Sequence, residues 1–244
     1  MAQSASRNPD LTDLHVGIIM DGNGRWAARQ GLARAEGHRA GALAVHRSLA
    51  AAYYFGVDVL TLFAFSEDNW HRPPREVATL LEIFEGFFRD EAAWLRSSGI
   101  RLSVIGRRDR LPRSLLKAIE QAEELTSAGR AMDLRLAIDY SGREAILGAA
   151  RLVSKGAPVS EEEFARLLAA AVHAPSSSFD IDLLIRTGGE QRLSDLPLWE
   201  TAYAELYFSD RMWPDFDAGD LTAALDSFRR RDRRFGRIPE LAAS

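Results

Sequence analysis

Short runs rich in branched and aromatic residues occur at 16–20, 57–65, 100–106, 134–140, 183–186 and 206–208. Each has strand length, and the stretches between them carry apolar residues at helical spacing. Ala44, Leu49, Ala52, Tyr53 and Phe55 mark a long helix after the first run, with Gly56 placed to stop it. Val77, Leu80, Leu81, Phe84, Phe87, Phe88, Trp94 and Leu95 mark another after the second. Ser160, followed by three glutamates, reads as an N-cap with an acidic first turn that suits the positive end of a helix dipole. Strand and helix in alternation predict an α/β fold: a single domain, with a mostly parallel central sheet flanked by helices. No internal repeat or domain boundary interrupts the span 14–237. Residues 1–13 and 238–244 are expected to be flexible ends, and the Pro/Ser-rich stretch 174–179 a mobile loop.

Composition narrows the classes. With 244 residues, 46% of them hydrophobic, the chain can bury a substantial core. A net charge of -4 argues against a surface built mainly for nucleic acid, and the absence of cysteine excludes disulfides and thiolate metal sites. No apolar run approaches the roughly 18 residues of a membrane span. The first residues also lack a signal peptide's basic start and apolar stretch, so a cytoplasmic protein is expected. The apolar stripe from Leu80 to Phe88 has two readings: ordinary core, or one wall of a tunnel for an apolar ligand.

In parallel α/β sheets ligands gather beyond the carboxyl ends of the strands. The unusual polar residues fall there: Asp21-Gly22-Asn23-Gly24-Arg25, Ser66 to Trp70, Asp139 to Arg143, and Arg186 to Glu190. In the first group, glycines allow backbone N–H groups to approach an anion, Arg25 adds a bidentate donor, and Asp21 can hold Mg²⁺ bridging to phosphate oxygens. A tight turn with Asp21 as helix cap is the competing reading. An EF-hand fits poorly, and neither a GxGxxG nor a P-loop motif is present. Arg34, His38 and Arg39 stand where the second helix should begin, against its dipole, as though an anion were to sit there. Arg186, Arg192 and Ser194 crowd a second glycine turn. Two anion grips beside a greasy helix point to two phosphorylated substrates, at least one with a hydrocarbon tail.

The segments HVGIIMDGNGRWA, GHRAG, LTLFAFSEDNWHRP, DYSGREAI, DLLIRTGGEQRLSDLPLWETAYAELYF and WPDF, closing in RRFG, resemble in order the signature segments of the cis-prenyltransferases. The resemblance spans about His15 to Gly236. It implies a Mg²⁺-dependent transferase that condenses isopentenyl diphosphate with an allylic diphosphate, giving a cis polyprenyl diphosphate and releasing diphosphate. On that basis Asp21 is the metal-binding catalytic residue, and Gly22, Asn23, Gly24, Arg25 and Trp26, with Arg34 and His38, hold the allylic diphosphate. Asn69 assists proton removal, with Ser66, Trp70 and Arg72 beside it. Arg186, Arg192 and Ser194 grip isopentenyl diphosphate. Glu205 is a second carboxylate linked to the metal across a homodimer interface, and Arg234 to Gly236 approaches the partner's site. Peripheral membrane contact through the product is also expected.

Several positions depart from the family pattern. Asp139 and Ser141 stand where Asn and Gly are usual, and Asp195, Pro197 and Glu200 interrupt a segment that is usually neutral. Negative charge near a diphosphate grip keeps irregular head-to-middle coupling of short prenyl diphosphates open as an alternative. A noncatalytic prenyltransferase subunit is a further one, although such relatives typically lose the Asp21 to Arg25 loop. A phosphohydrolase using Asp21 as nucleophile calls on nothing else in the sequence.

Overall fold

A computed structural model describes residues 13–153, 158–175 and 180–231. The expectations for 1–12, 176–179, 234–236 and 238–244 lie outside these residues.

The strands are β1 (His15–Ile19), β2 (Val59–Ser66), β3 (Ile100–Ile105), β4 (Met132–Tyr140), β5 (Leu183–Arg186) and β6 (Glu205–Phe208). They form one six-stranded sheet in the order β3-β4-β2-β1-β5-β6, every pairing parallel. The helices are α1 (Asn23–Arg29), α2 (Arg34–Tyr54), α3 (Pro74–Ser97), α4 (Arg113–Thr126), α5 (Gly142–Leu152), α6 (Glu161–Ala171) and α7 (Ala218–Arg229). From β1 the chain steps to β2 on one side, whereas β5 lies on the other. The carboxyl ends of these three strands therefore border the crevice where the winding reverses. Parallel strands covered on both faces read as nearly continuous apolar runs, and β1 is buried at all five positions.

Two apolar layers sandwich the sheet. On one face Val16, Ile18, Leu60 and Leu62 pack with residues of α2, α3, α4 and α7. On the other, Ile19, Phe63, Ala137 and Leu184 pack with α5 and α6. Gly56 follows α2 with φ of +77°, the left-handed conformation expected of its stop. Ser160 accepts a hydrogen bond from the Glu163 amide at 3.1 Å and starts α6 as expected. The register of β2 against β4 shifts between Phe63 and Ser66, immediately before the site. No helix among the described residues is long and apolar enough to cross a membrane.

Candidate active site

β1 ends at Ile19, and the next residues form the first wall of a cavity. Gly22, at φ +111°, turns the chain into α1, and a Cβ there would meet the Met212 backbone at 3.0 Å. Asp21 therefore does not cap α1: the N-cap is Gly22, with no side-chain bond, and the first amides of α1 have no partner within the helix. Thr187, fully buried after β5, fixes Asp21 instead. Its hydroxyl accepts from the Asp21 amide at 2.9 Å and donates to the Asp21 carbonyl at 2.7 Å.

The Asp21 carboxylate accepts from Arg25 at 3.2 Å and from Arg186 at 3.1 Å. Arg186 also donates to the Arg192 carbonyl and to the Ser194 hydroxyl, the latter at 3.1 Å. Arg34 and His38 enter from the start of α2, which has no side-chain N-cap, and Arg72 from the end of the short 3-10 helix Glu67–His71. All three converge on Glu76 of α3. Arg34 donates twice, at 3.1 and 3.2 Å; His38 Nε2 lies at 3.0 Å and Arg72 at 3.2 Å. Burial works against ionisation of Glu76, but the bonds from Arg34 and His38 and the Arg34 and Arg72 charges outweigh it and hold its carboxyl below the ordinary range. Burial likewise lowers the His38 pKa against the pull of Glu76. With Nε2–H directed to a carboxylate, Nδ1 is the unprotonated nitrogen. It is buried and has no partner among the described residues, like Asn23 Oδ1 and Arg186 Nε.

These groups enclose a cavity of about 190 Å³, walled by Asp21, Asn23, Gly24, Arg34, His38, Ser66, Asn69, Arg72 and Arg186 among others. A second, apolar cavity of about 60 Å³ lies between α2, α3 and the sheet, lined by Val45, Ile83, Phe84, Phe87, Phe88 and Trp213 among others. Met20, Asn23, His38, Ala64 and Leu80 line both, so a cationic cavity and an apolar one share a wall.

Residues 19–236 match the family model described as "Putative undecaprenyl diphosphate synthase". The chain belongs to this family. Isoprenyl transferase 1 of Bradyrhizobium diazoefficiens is 52% identical over 91% of this chain and 89% of its own length. The ditrans,polycis-undecaprenyl-diphosphate synthase ((2E,6E)-farnesyl-diphosphate specific) of Salmonella typhi is 44% identical over 91% of this chain and 89% of its own. Lavandulyl diphosphate synthase from Lavandula x intermedia, solved in complex with dimethylallyl diphosphate, superposes with a TM-score of 0.88 at 37% identity, covering 93% of this chain and all of that one. The protein is a prenyl-transferring enzyme on the family's fold, and the expected α/β single-domain architecture is the one observed.

The prenyltransferase brings ten of the expected site residues onto the wall of the cationic cavity: Asp21, Gly22, Asn23, Gly24, Arg34, His38, Ser66, Asn69, Arg72 and Arg186. The others lie elsewhere. Arg25 bridges Asp21 and Glu190 at the rim. Trp26 donates its indole N–H to Asp215 at 2.7 Å, and Trp70 donates its own to Asp139 at 2.9 Å. Arg192 pairs with Glu190, and Ser194 meets the site through Arg186. Glu205 starts β6, in register with Leu183 and through it with Val16, and accepts from Arg231 at 2.6 Å. One chain therefore holds Glu205 at the opposite end of the sheet from Asp21.

Glu76 and Thr187 are site residues the sequence reading missed. The departures from the family pattern also fall differently from expectation, because neither Asp195 nor Glu200 lines the cationic cavity. Asp195 accepts from the Ser141 hydroxyl at 2.5 Å and the Arg143 amide at 2.9 Å, placing a carboxylate at the positive end of α5. Glu200 accepts from the Tyr140 hydroxyl at 2.5 Å in the core. Pro197 leaves its carbonyl to the Thr201 hydroxyl.

Proposed function

We propose that the enzyme condenses isopentenyl diphosphate with an allylic diphosphate in a Mg²⁺-dependent reaction, giving a cis polyprenyl diphosphate and diphosphate. The observation that carries this reading is the adjacency of the two cavities, an arginine-lined one sharing a wall with an apolar one. Diphosphate and hydrocarbon are the two halves of one substrate, and each half meets its own chemistry.

Asp21 supplies one carboxylate, 31% exposed, and the unpartnered Oδ1 of Asn23 a second oxygen. No cluster of three acidic or imidazole ligands occurs among the described residues. That donor set fits Mg²⁺, which is usually held by one or two carboxylates plus substrate phosphates. Once bound there, the ion would neutralise charge on the departing diphosphate. Arg34, Arg72 and Arg186, with the leading amides of α1, bind the same oxygens and favour their leaving with the bonding electron pair. The allylic carbon then develops positive charge and is attacked by the C=C bond of isopentenyl diphosphate. Asn69, a neutral amide, orients the condensing unit or passes its proton towards a diphosphate oxygen. The tail moves into the channel beside Ala64, Leu80 and Phe84.

The test is incubation of purified protein with labelled isopentenyl diphosphate and allylic primers from C5 to C20, with and without Mg²⁺. Metal-dependent elongation is expected, along with its loss in Asp21→Ala at unchanged fold. Failure with every primer would overturn the reading and leave the noncatalytic subunit. The small channel and the likeness to lavandulyl diphosphate synthase favour a second reading, irregular head-to-middle coupling, which dimethylallyl diphosphate alone would reveal as a branched product. A homodimer belongs to the proposal, because Glu205 reaches a metal only from another chain. Peripheral membrane contact through an insoluble product belongs to it as well.

A further inference from the structure

Asn69 stands on a 3-10 helix of only five residues, Glu67–His71. So short a helix has few bonds of its own to fix it. Ser66 and Asn69 cap it reciprocally, the Ser66 amide donating to the Asn69 side chain at 3.3 Å, so wherever the helix goes the amide goes too.

Its anchor comes from elsewhere in the fold. Asp139, next to last in β4, has a fully buried side chain and a φ of +54°, a backbone conformation that a non-glycine residue adopts only under constraint. Its carboxylate accepts from the Trp70 indole at 2.9 Å, from Arg110 Nε at 2.8 Å and from Arg110 Nη2. Arg110 lies over the Trp70 ring at 5.5 Å and also donates to Glu67 at 3.1 Å. Trp70 also meets Phe65 edge-on at 5.2 Å. The residue that opens the helix and the one after Asn69 are thus both tied to one carboxylate and guanidinium pair, while Asn69 itself touches neither partner.

A buried carboxylate is costly unless fully bonded, and here three N–H groups meet it. An asparagine in its place would offer a single acceptor oxygen and turn an N–H towards the guanidinium. This accounts for the acidic residue in DYSGR, the departure that the function leaves unexplained.

We propose that Asp139, acting with Arg110 through Trp70 and Glu67, is a positioning residue for Asn69 and sets the turnover number of the transfer step. The proposal rests on the prenyl-transfer reading. Diphosphate binding should be little affected, because Arg34, His38 and Arg72 take their orientation from Glu76 on α3, a separate anchor.

The test is a double-mutant cycle between Asp139→Asn and Asn69→Ala, by single-turnover and steady-state rates, with Arg110→Gln at a more exposed site as the second perturbation. With Asn69 present, each is expected to lower kcat about tenfold and leave both KM values within about twofold; in Asn69→Ala each should cost less than about twofold. Hydrogen exchange at the 66–71 amides should quicken in both variants whatever their activity. Equal losses in both backgrounds, KM rising in step with the fall in kcat, or unchanged exchange would overturn the positioning role. An active wild type with any of these results leaves prenyl transfer standing, whereas a wild type inactive with every primer counts against prenyl transfer.

Discussion

Phe87 and Phe88 stand side by side on α3 at the apolar cavity, ring centroids 5.8 Å apart, but they are not equivalent. Phe88 is 1% exposed and belongs to the core, whereas Phe87 only packs against it. Replacing Phe87 with Ala should therefore open the channel at modest cost to the fold. Each CH₂ transferred from water to apolar surroundings contributes about 0.8 kcal/mol, so sheltering one five-carbon unit is worth up to about 4 kcal/mol. Incomplete enclosure in a half-buried position brings this nearer about 2 kcal/mol, a factor of about thirty in retention of the next-longer intermediate. The cavity of about 60 Å³ in the native enzyme gives such a unit little room. The assay is mass analysis of products from a limiting allylic primer and excess isopentenyl diphosphate. The dominant product of Phe87→Ala should be longer by at least one C5 unit than that of the wild type. Phe88→Ala, by contrast, should lose about 3–5 kcal/mol of stability, because its whole ring is in the core. An unchanged product distribution in a folded, active Phe87→Ala enzyme would refute the channel.

Three further outcomes follow from the charge network. Glu76 holds two guanidinium groups and the His38 imidazole that a diphosphate would otherwise hold, so Glu76→Gln should unfold at lower temperature than the wild type and gain more from added inorganic diphosphate. An equal thermal shift in both proteins would contradict that role. His15 Nδ1 is 2.9 Å from the Asp180 carbonyl and Nε2 2.7 Å from the Thr61 hydroxyl; burial, with the Arg135 charge second, lowers its pKa from 6.5 to about 3. The unfolded chain therefore binds the extra proton between those values. Stability is fully present above pH 6.5 and falls by up to about 1.4 kcal/mol per unit below it. Denaturant midpoints of His15→Gln should show a shallower acid slope, and parallel curves would remove the assignment. Burial raises the Glu200 pKa against donation from Tyr140, so this carboxyl detracts from stability as pH climbs through its folded pKa. Glu200→Gln should be more stable by about 1 kcal/mol at pH 8, the gain vanishing in acid, and a loss at pH 8 would refute this.

What the sequence disclosed depended on periodicity. The six strand runs were legible because buried parallel strands are apolar throughout, and their order against the helices implied where a site must form. Gly56 and Ser160 were legible because a stop and a cap each have local chemistry. The apolar stripe of α3 belongs both to the core and to the wall of the apolar cavity, Phe88 serving the first and lining the second. α1 was hidden because two glycines in Asp21 to Arg25 read as a loop, whereas Gly22 alone makes the turn and Asn23 already begins a helix.

Where a strand ends, its period of two no longer says which way a side chain points, and the misreadings gather there. Asp139 falls at the end of β4, whereas Asp195 and Glu200 lie close in sequence to the proposed diphosphate grip at 186–194, where their charge left the choice of product open. In the fold they serve Arg110, the start of α5 and Tyr140. Glu76 is the opposite case. It sits in a helix chosen for its apolar residues, and its partners at 34, 38 and 72 converge only when α2 packs against α3. That packing also explains why cationic residues can open α2 against its dipole. Before any diphosphate arrives, a carboxylate from the neighbouring helix supplies the negative charge that the positions of Arg34 and His38 require.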